Sequence, residues 1–302
     1  MLHQAAASLR RFVLAAATLA AAAAHAEGAP DPRQAWDDAA KAAQTGPAEI
    51  KLLDQAVLKL PEGRVFVPQP QATRLLQAMG NPGEDPRLQG LVFPKGDDQG
   101  WFMTVRYEDS GHIKDDDAKE WNADDLLKSY KEGTEASNEE RVKLGVPAIE
   151  IIGWAEKPAY DAATHRLVWA MSSREKGERV ASAEDGQGVN YNTYLLGREG
   201  YFSMNLVTGL KELPQHKPEG QAMLAALAFN DGKRYGDFDE KTDHVAEYGL
   251  AALVLGVGAK KLGLLAMAGV FFAKFAKLII LGVVGVGAAA AKLLGRKSKT
   301  TA

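Results

Sequence analysis

The sequence of 302 residues contains no cysteine. Disulfide bonds, thiolate metal sites, iron–sulfur clusters and a cysteine nucleophile are therefore excluded. The chain also has no H-E-x-x-H zinc motif, no G-x-S-x-G nucleophile elbow and no phosphate-binding glycine loop. These absences favour a function without a cofactor and argue against the common hydrolase and nucleotide-binding classes.

The chain as a whole has no large excess of positive or negative charge, because its formal net charge is only −3. Residues 1–26 nevertheless carry +2 and residues 246–302 carry +7, which leaves −12 for residues 27–245. The acidic body argues against nucleic acid as a partner, because phosphates favour a basic surface. The basic and apolar tail favours the lipid bilayer as a partner instead.

The N-terminus has the three parts of a secretory signal peptide. Two arginines precede the apolar stretch Phe12–Ala24, and small residues stand at positions 24 and 26. This order is typical of a signal that is cleaved during export. A retained membrane anchor is the alternative, but the apolar stretch is short and rich in alanine for a membrane span. We therefore expect residues 1–26 to be a signal peptide, cleaved after Ala26.

A long uninterrupted hydrophobic run is also missing. Lysines divide the apolar C-terminal stretch into segments of at most 14 residues, whereas a helix needs about 20 residues to cross a bilayer. We expect a transmembrane helical segment within residues 246–294, with one crossing in 262–291 and the basic tail, 295–302, in the cytoplasm. A helical hairpin that turns near 274–277 is the alternative, and it leaves the tail outside.

Residues 27–245 show the patterns of an exported α+β domain. The clearest predicted helix is Asn122–Arg141, in which Asn122 can cap the first turn. We expect one domain, with a mainly antiparallel sheet and helices packed on one face. The other predicted elements are helices at Gln69–Met79 and Glu219–Phe229, and strands at Ala56–Leu60, Arg64–Val67, Leu88–Phe93, Trp101–Glu108, Ala148–Glu156, His165–Ser172, Val189–Leu196 and Tyr201–Val207.

The most compact group of catalytic residue types is Tyr160-Asp161-x-x-x-His165, at a predicted hairpin. An aspartate that orients a histidine is half of a general-base arrangement. Asp161 and His165, with Glu156 nearby, are therefore the candidate catalytic residues of a hydrolase. The alternative is a turn aspartate followed by a strand histidine, without a catalytic role.

Aromatic side chains are the candidate ligand-binding residues. Trp154, Tyr160 and Trp169 lie on or beside predicted strands, where aromatic rings can line a ligand or carbohydrate surface. Aromatic residues in alternating strands also build the core of a sheet. Both interpretations of these residues stay open at the level of the sequence.

The densest acidic stretch contains Asp115, Asp116 and Asp117. Oxygen-rich loops bind Ca²⁺, so these aspartates are the candidate metal ligands. They are consecutive, however, whereas calcium loops use alternate positions and a central glycine. A solvated acidic loop before a helix N-terminus explains the same residues, and we expect no metal.

Several segments resemble a known bacterial family. The longest is the run 151–161, IIGWAEKPAYD, continued by THRLVWA at 164–170. The shorter ones are NYN at 190–192, LGR at 196–198, FN at 229–230, RYGDFD at 234–239, TD at 242–243 and the apolar entry at 246–253. Together they resemble a family of uncharacterised membrane-anchored proteins with a domain of unknown function. The resemblance implies a signal peptide, an exported domain and a C-terminal anchor, but no activity, cofactor or catalytic residue.

Three functional hypotheses follow. The first is a non-enzymatic binding or regulatory domain on the periplasmic side of the bacterial inner membrane, whose partner is an envelope component, an envelope protein or a second copy of the chain. The second is an envelope hydrolase that uses Asp161 and His165. The third is an accessory subunit of an envelope transport or secretion system that works through its lysine-bearing tail. The lack of an assembled catalytic set favours the first hypothesis.

Overall fold

A computed structural model describes residues 30–81, 83–96, 100–119, 121–180 and 182–255. The predicted signal peptide, residues 256–294 of the predicted anchor and the basic tail lie outside these ranges. None of the helices in the described ranges combines the length and apolar character that a membrane crossing needs.

The main sheet has eight strands, all paired in antiparallel fashion, in the order β1-β4-β5-β6-β10-β9-β8-β7. Its strands are β1 (Gln44–Thr45), β4 (Arg64–Pro68), β5 (Leu88–Pro94), β6 (Phe102–Glu108), β7 (Ile149–Asp161), β8 (Arg166–Glu175), β9 (Gly188–Leu196) and β10 (Tyr201–Gly209). A smaller sheet contains β2 (Ala48–Leu52), β3 (Ala56–Leu60) and β11 (Leu227–Phe229), in the order β11-β3-β2. The predicted α+β class with a mainly antiparallel sheet is therefore confirmed.

Alternation along the central strands gives the main sheet two different faces. Met204 on β10 lies opposite Val105 on β6 and Thr193 on β9, and all three are buried. The next residue, Asn205, points to the other side, opposite Thr104 and Asn192. We call the side of Met204 the core face and the side of Asn205 the amide face, because side chains in a strand alternate between the two sides of a sheet.

The described residues contain five α-helices: α1 (Pro32–Ala42), α2 (Gln71–Ala78), α3 (Ala123–Lys143), α4 (Leu213–Ala226) and α5 (Leu250–Val254). Short 3₁₀ turns stand at Asp116–Lys119 and Tyr235–Asp237. The predicted long helix is confirmed, since Asn122 caps α3 by accepting hydrogen bonds from the backbone N–H groups of Asp124 and Asp125.

Helix α4 and the smaller sheet cover the core face. Gly220 of α4 lies directly against Tyr191 of β9, where an added Cβ would come within 2.7 Å of the tyrosine ring. Leu58 of β3 and Leu224 of α4 join the same apolar cluster as Phe202 and Met204 of β10. This layer therefore holds most of the buried apolar surface of the domain.

Helices α1, α2 and α3 lie on the amide face, so the prediction of helices on one face is wrong. Trp36 of α1 contacts Phe93 of β5, with ring centroids 5.6 Å apart. At the opposite edge of the sheet, the Trp154 indole on β7 donates a hydrogen bond of 2.9 Å to the carbonyl of Ala123 in α3. The registers place Phe93 and Trp154 on the same side as Asn205, with the central strands between them.

The predicted helix Glu219–Phe229 is also corrected. Helix α4 begins at Leu213, and Pro214 at its second position fits there because the N–H groups of the first turn have no partner within the helix. The helix ends at Ala226, and Leu227–Phe229 then pairs with β3 as a strand. Residues Leu227–Phe229, at the end of the predicted helix, therefore form a strand because they pair with β3, which is distant in sequence.

Candidate functional site

Four rings stack in one row where several loops of the domain meet. The ring of Tyr235 lies between two histidines, with centroids 3.9 Å from His165 and 4.3 Å from His112. The other side of His112 stacks on Phe238 at 4.0 Å. We call His112, His165, Tyr235 and Phe238 the ring cluster.

Beside the ring cluster, the hydroxyl of Tyr160 joins a carboxylate to a histidine. It donates to Asp115 Oδ2 at 2.7 Å and lies 3.1 Å from Nδ1 of His165. A phenol has one proton and the carboxylate can only accept, so Nδ1 of His165 must donate to the phenol oxygen. The neutral imidazole therefore has its free lone pair on Nε2, on a side chain that is 30% exposed.

The β7–β8 turn explains how these side chains are placed. Asp161 Oδ1 accepts from the backbone N–H of Ala163 at 2.9 Å, and Oδ2 accepts from the Thr164 hydroxyl at 2.6 Å. His165 follows with φ of 53°, a left-handed conformation that turns the chain into β8. The carboxylate linked to His165 is thus Asp115, because the expected partner, Asp161, is committed to the turn.

His112 is the buried member of the ring cluster, with 5% of its surface exposed. Its Nδ1 atom is shielded from solvent and has no hydrogen-bond partner within the described ranges. Burial lowers the pKa of His112 because a charged imidazolium loses its hydration there. The ring is therefore held neutral between two aromatic neighbours.

The phenols of the site are also held neutral. Burial raises the pKa of Tyr160, and its hydrogen bond to Asp115 raises that pKa further. Burial and the charge of Asp115 likewise raise the pKa of Tyr235, whose hydroxyl donates to the carbonyl of Ile113 at 2.9 Å. Neither phenol is therefore a source of a phenolate nucleophile near neutral pH.

The ring cluster is tied to the segment through which the chain continues towards its C-terminal part. The backbone N–H of His112 donates to the carbonyl of His244 at 2.8 Å, and the N–H of Ala246 donates to the carbonyl of His112 at 2.9 Å. Gly111 permits this close approach, since its φ is +85° and an added Cβ would meet His244 at 2.6 Å. The cluster therefore connects the 110–115 loop, the β7–β8 turn and the exit segment 244–246.

The three consecutive aspartates have separate roles. Asp115 binds Tyr160, while the carboxylate of Asp117 accepts from the backbone N–H groups of Leu250 and Ala251 at 3.1 and 3.0 Å. Asp116 is exposed. Among the described residues, no three histidines or carboxylates are grouped so that they could hold a metal ion.

The remaining predicted site residues lie apart from the ring cluster. Glu156 forms an ion pair of 2.7 Å with Lys217. Trp154 is bonded to α3, and Trp169 is only 2% exposed and packs against Tyr194 at 4.7 Å. Of the three aromatic candidates, Tyr160 alone joins the group around His165.

Sequence reasoning missed His112, Tyr235 and Phe238, and it considered Asp115 only as a candidate metal ligand or as part of a solvated acidic loop. A signal was present, because RYGDFD at 234–239 and the Tyr160–His165 region both carry the family resemblance. The two segments meet in the ring cluster. Their contact depends on the arrangement of distant loops, which no local pattern of the sequence encodes.

The chain resembles several solved structures at low sequence identity. Cyanobacterial PsbP (CyanoP) from Synechocystis sp. PCC 6803 is 12% identical, with a TM-score of 0.36 over 62% of this chain and 91% of that one. The Ran-binding protein Mog1p from Saccharomyces cerevisiae is 11% identical, with a TM-score of 0.30 over 61% of this chain and 96% of that one. Protein PA94 of unknown function from Pseudomonas aeruginosa is 12% identical, with a TM-score of 0.22 over 59% and 93%.

No curated protein shows significant sequence similarity to the chain. A family profile described as a protein of unknown function matches residues 44–287. This range includes the whole ring cluster and all the strands of both sheets. Helix α1 lies before it. The chain therefore belongs to the DUF2167 family.

Proposed function

We propose that this chain is a membrane-anchored protein of the bacterial cell envelope. Residues 27–245 would form its exported domain, on the periplasmic side of the inner membrane, and residues 246–294 its anchor in the lipid bilayer. The domain would act as a non-enzymatic binding or regulatory module, whose partner is an envelope component or another protein chain. The signal-like N-terminus and the basic, apolar C-terminal stretch support the location.

The observation that carries this function is the position of the ring cluster. Its stacked rings and the hydrogen bonds of His112 connect the β7–β8 turn to the exit segment 244–246. A partner that displaces Tyr235 or His165 would therefore change the packing of the segment that leads towards the anchor. Such a connection suits a regulatory domain, in which binding of a partner changes the segment that leads towards the membrane anchor.

Three carboxylates that a catalytic site could use form hydrogen bonds or ion pairs within the fold. Asp161 closes the β7–β8 turn, Glu156 pairs with Lys217 and Asp117 caps α5. Each is therefore used to hold the fold together, which supports a binding role for the domain.

A hydrolase remains the second candidate because of one specific observation. The chain Asp115–Tyr160–His165 fixes the tautomer of His165 and leaves the lone pair of Nε2 without a partner in this chain, on a side chain that is 30% exposed. No serine or threonine hydroxyl is hydrogen bonded to His165 in the described part of the chain, so such an enzyme would activate water.

Photo-crosslinking in intact cells tests the binding function. A photoreactive amino acid replaces Arg234, beside Tyr235 and 63% exposed, or Lys41 on α1, which is 73% exposed and serves as the matched control. We expect a specific adduct from position 234 and none from position 41. Adding Tyr235→Ala should abolish the adduct, whereas Tyr235→Phe, which keeps the ring, should preserve it. Only background labelling at position 234 would contradict the proposal.

A second variant separates binding from hydrolysis. His165→Phe keeps an aromatic ring against Tyr235 but removes the Nε2 base. A binding module carrying this change should retain both the adduct and the ability to complement deletion of the gene. Retained adduct with lost complementation would favour the hydrolase.

The accessory-subunit hypothesis is tested through the tail. Residues 256–302 are exchanged for an unrelated membrane anchor of the same orientation. We expect the exchanged protein to complement deletion of the gene, because the proposed activity lies in the exported domain. Loss of function in a protein that is still exported and folded would indicate that the lysine-bearing tail itself carries the function.

A further inference from the structure

The exit segment 244–246 is held to the ring cluster by few contacts. Val245 pairs with His112 in an isolated parallel bridge, which consists of the two backbone hydrogen bonds of His112 described above. Residues 243–247 are exposed or half-buried. Just before the exit segment, Asp243 accepts two hydrogen bonds from the guanidinium of Arg198, at 2.7 and 2.8 Å.

The central sheet is held far more firmly. Strand β10 pairs with β6 along seven residues and with β9 along nine. A segment with few backbone hydrogen bonds and little burial opens at a lower free energy than the strands of a core sheet. The exit segment can therefore detach from His112 while both sheets stay folded.

The surroundings of His112 suit a neutral ring. Tyr235 and Phe238 cover its two faces, and only 5% of its surface is exposed. Its Nδ1 atom is shielded from solvent and has no hydrogen-bond partner in the described part of the chain. A neutral imidazole can leave one nitrogen as a bare acceptor, whereas a protonated imidazole carries an N–H group on both. A proton on His112 would therefore bury a charged donor without an acceptor.

The charged and polar groups that face His112 come from three elements. Asp115 lies on its own loop, Asp243 precedes the exit segment, and the backbone groups of Gly197 and Arg198 belong to the β9–β10 turn. Burial lowers the pKa of His112, and this effect outweighs all four of these groups, which raise it. The guanidinium of Arg198 is engaged with Asp243. The pairing of His112 with the exit segment therefore favours the neutral ring.

The other titratable groups around the stack tolerate protonation or are already paired. His165 can take a proton on Nε2 and keep its Nδ1–H bond to Tyr160. His244 is exposed and hydrated. The paired carboxylates are Asp237, with the backbone N–H of Arg234, and Glu199, with Lys233. His112 is thus the group whose protonation conflicts with this packing.

We propose that the exit segment is a proton-sensitive switch, in which residues 244–246 detach from His112 when its imidazole takes up a proton. Detachment breaks the two backbone hydrogen bonds and lets water reach the charged ring. This inference rests on the proposed function, because it names a signal that acts on the same segment as the partner. An exported domain would in this way pass the pH of its surroundings to the segment that continues towards residues 256–302.

The direction of the response follows from proton linkage. The pKa of His112 is lowered while the segment is attached, and it returns to about 6.5 once the ring is hydrated. Detachment is therefore favoured as the pH falls below about 6.5 and is suppressed above it. Between pH 7 and pH 5 the opening constant can increase by at most about 25-fold, when the attached ring takes no proton. We expect an increase of about tenfold.

Amide hydrogen exchange of the full chain in detergent micelles tests the switch. The backbone N–H groups of His112 and Ala246 report detachment, since they form the two hydrogen bonds. Each exchange rate is divided by that of an unstructured peptide at the same pH. From pH 7 to pH 5, the protection of these two amides should fall about tenfold. The protection of the amides of β10 should stay at least ten times higher than theirs at pH 5.

Substitutions assign the response to one histidine. His112→Phe keeps a ring between Tyr235 and Phe238 but takes no proton, so the protection of the Ala246 amide should become independent of pH. His112→Gln removes the same proton with a smaller side chain and gives the same result if the phenyl ring does not fit. His216→Phe is the matched control, because His216 is equally buried, beside Thr208. It should keep the response of the wild type.

Three results would overturn the switch. They are constant protection of the two amides in the wild type, a loss of protection that β10 shares equally, and a pH response that survives in His112→Phe or His112→Gln. The adduct from position 234 is measured separately at pH 7. Its presence without a pH response would leave the binding module standing without the switch. Its absence with an intact response would overturn the binding module alone.

Discussion

His112 shows at the scale of one residue how the ring cluster combines burial with chemistry. Its imidazole is buried between Tyr235 and Phe238 and kept neutral, because burial lowers its pKa. The ordinary pKa of histidine is about 6.5. The unfolded chain therefore binds more protons than the folded chain when the pH falls below this value, and the folded state loses stability.

The first prediction concerns this pH dependence. The free energy of unfolding should decrease as the pH falls below about 6.5, and His112→Phe should reduce the slope while keeping the ring stack. Urea unfolding between pH 5 and 8 measures it. His216, whose pKa is also lowered by burial, provides a second variant, His216→Phe, which should remove its own share of the slope. An unchanged slope in the double variant would contradict the account.

The second prediction tests which aspartate is linked to His165. Asp115→Asn should disturb the Nδ1–H tautomer of His165, because Tyr160 would lose its carboxylate acceptor. Asp161→Asn is the matched control, since Asp161 binds the turn rather than the histidine. The ¹⁵N chemical shifts of the imidazole report the tautomer. A change caused by Asp161→Asn and not by Asp115→Asn would support the pairing expected from the sequence.

At the scale of elements, two helix glycines have opposite roles. Gly220 of α4 faces Tyr191, whereas Gly133 of α3 has open space around its Cα. Gly220→Ala should destabilise the domain by about 1–3 kcal/mol through overpacking, while Gly133→Ala should stabilise it by up to about 1 kcal/mol through helix propensity. Urea unfolding of both variants measures the difference. Equal effects would contradict the placement of α4 on the core face.

Asp117 is expected to stabilise the start of α5. Asp117→Ala removes the acceptor for the N–H groups of Leu250 and Ala251 and should cost about 1 kcal/mol, as other helix caps do. Amide hydrogen exchange at these two residues should accelerate. Asp116→Ala, at the exposed neighbour, should change neither quantity, and protection that survives in Asp117→Ala would exclude the cap.

Strand patterns could be predicted because they are local. The strand predicted at Trp101–Glu108 is β6, Phe102–Glu108, and its residues Met103 and Val105 are buried on the core face. The side of the sheet on which each helix packs could not be predicted, since α4 and α3 differ in their tertiary partners. The hydrogen bond between Tyr160 and Asp115 spans 45 residues, so its existence depends on the complete fold.

At the scale of the whole molecule, an acidic body precedes a basic and apolar C-terminal stretch. The body carries a ring cluster that connects its loops to the exit segment 244–246. This connection has a use only if the domain faces the compartment that holds its partner. The proposed function therefore depends on export of the domain and on its orientation.

Cysteine labelling tests this orientation most directly, since the natural chain has no cysteine. Asp231→Cys places a thiol on a turn whose side chain is 91% exposed, and Ser298→Cys places one in the basic tail. A membrane-impermeant maleimide is added to intact spheroplasts and to permeabilised ones. We expect labelling of Asp231→Cys in both, and of Ser298→Cys only after permeabilisation. Labelling of Asp231→Cys only after permeabilisation would contradict export of the domain and with it the proposed function.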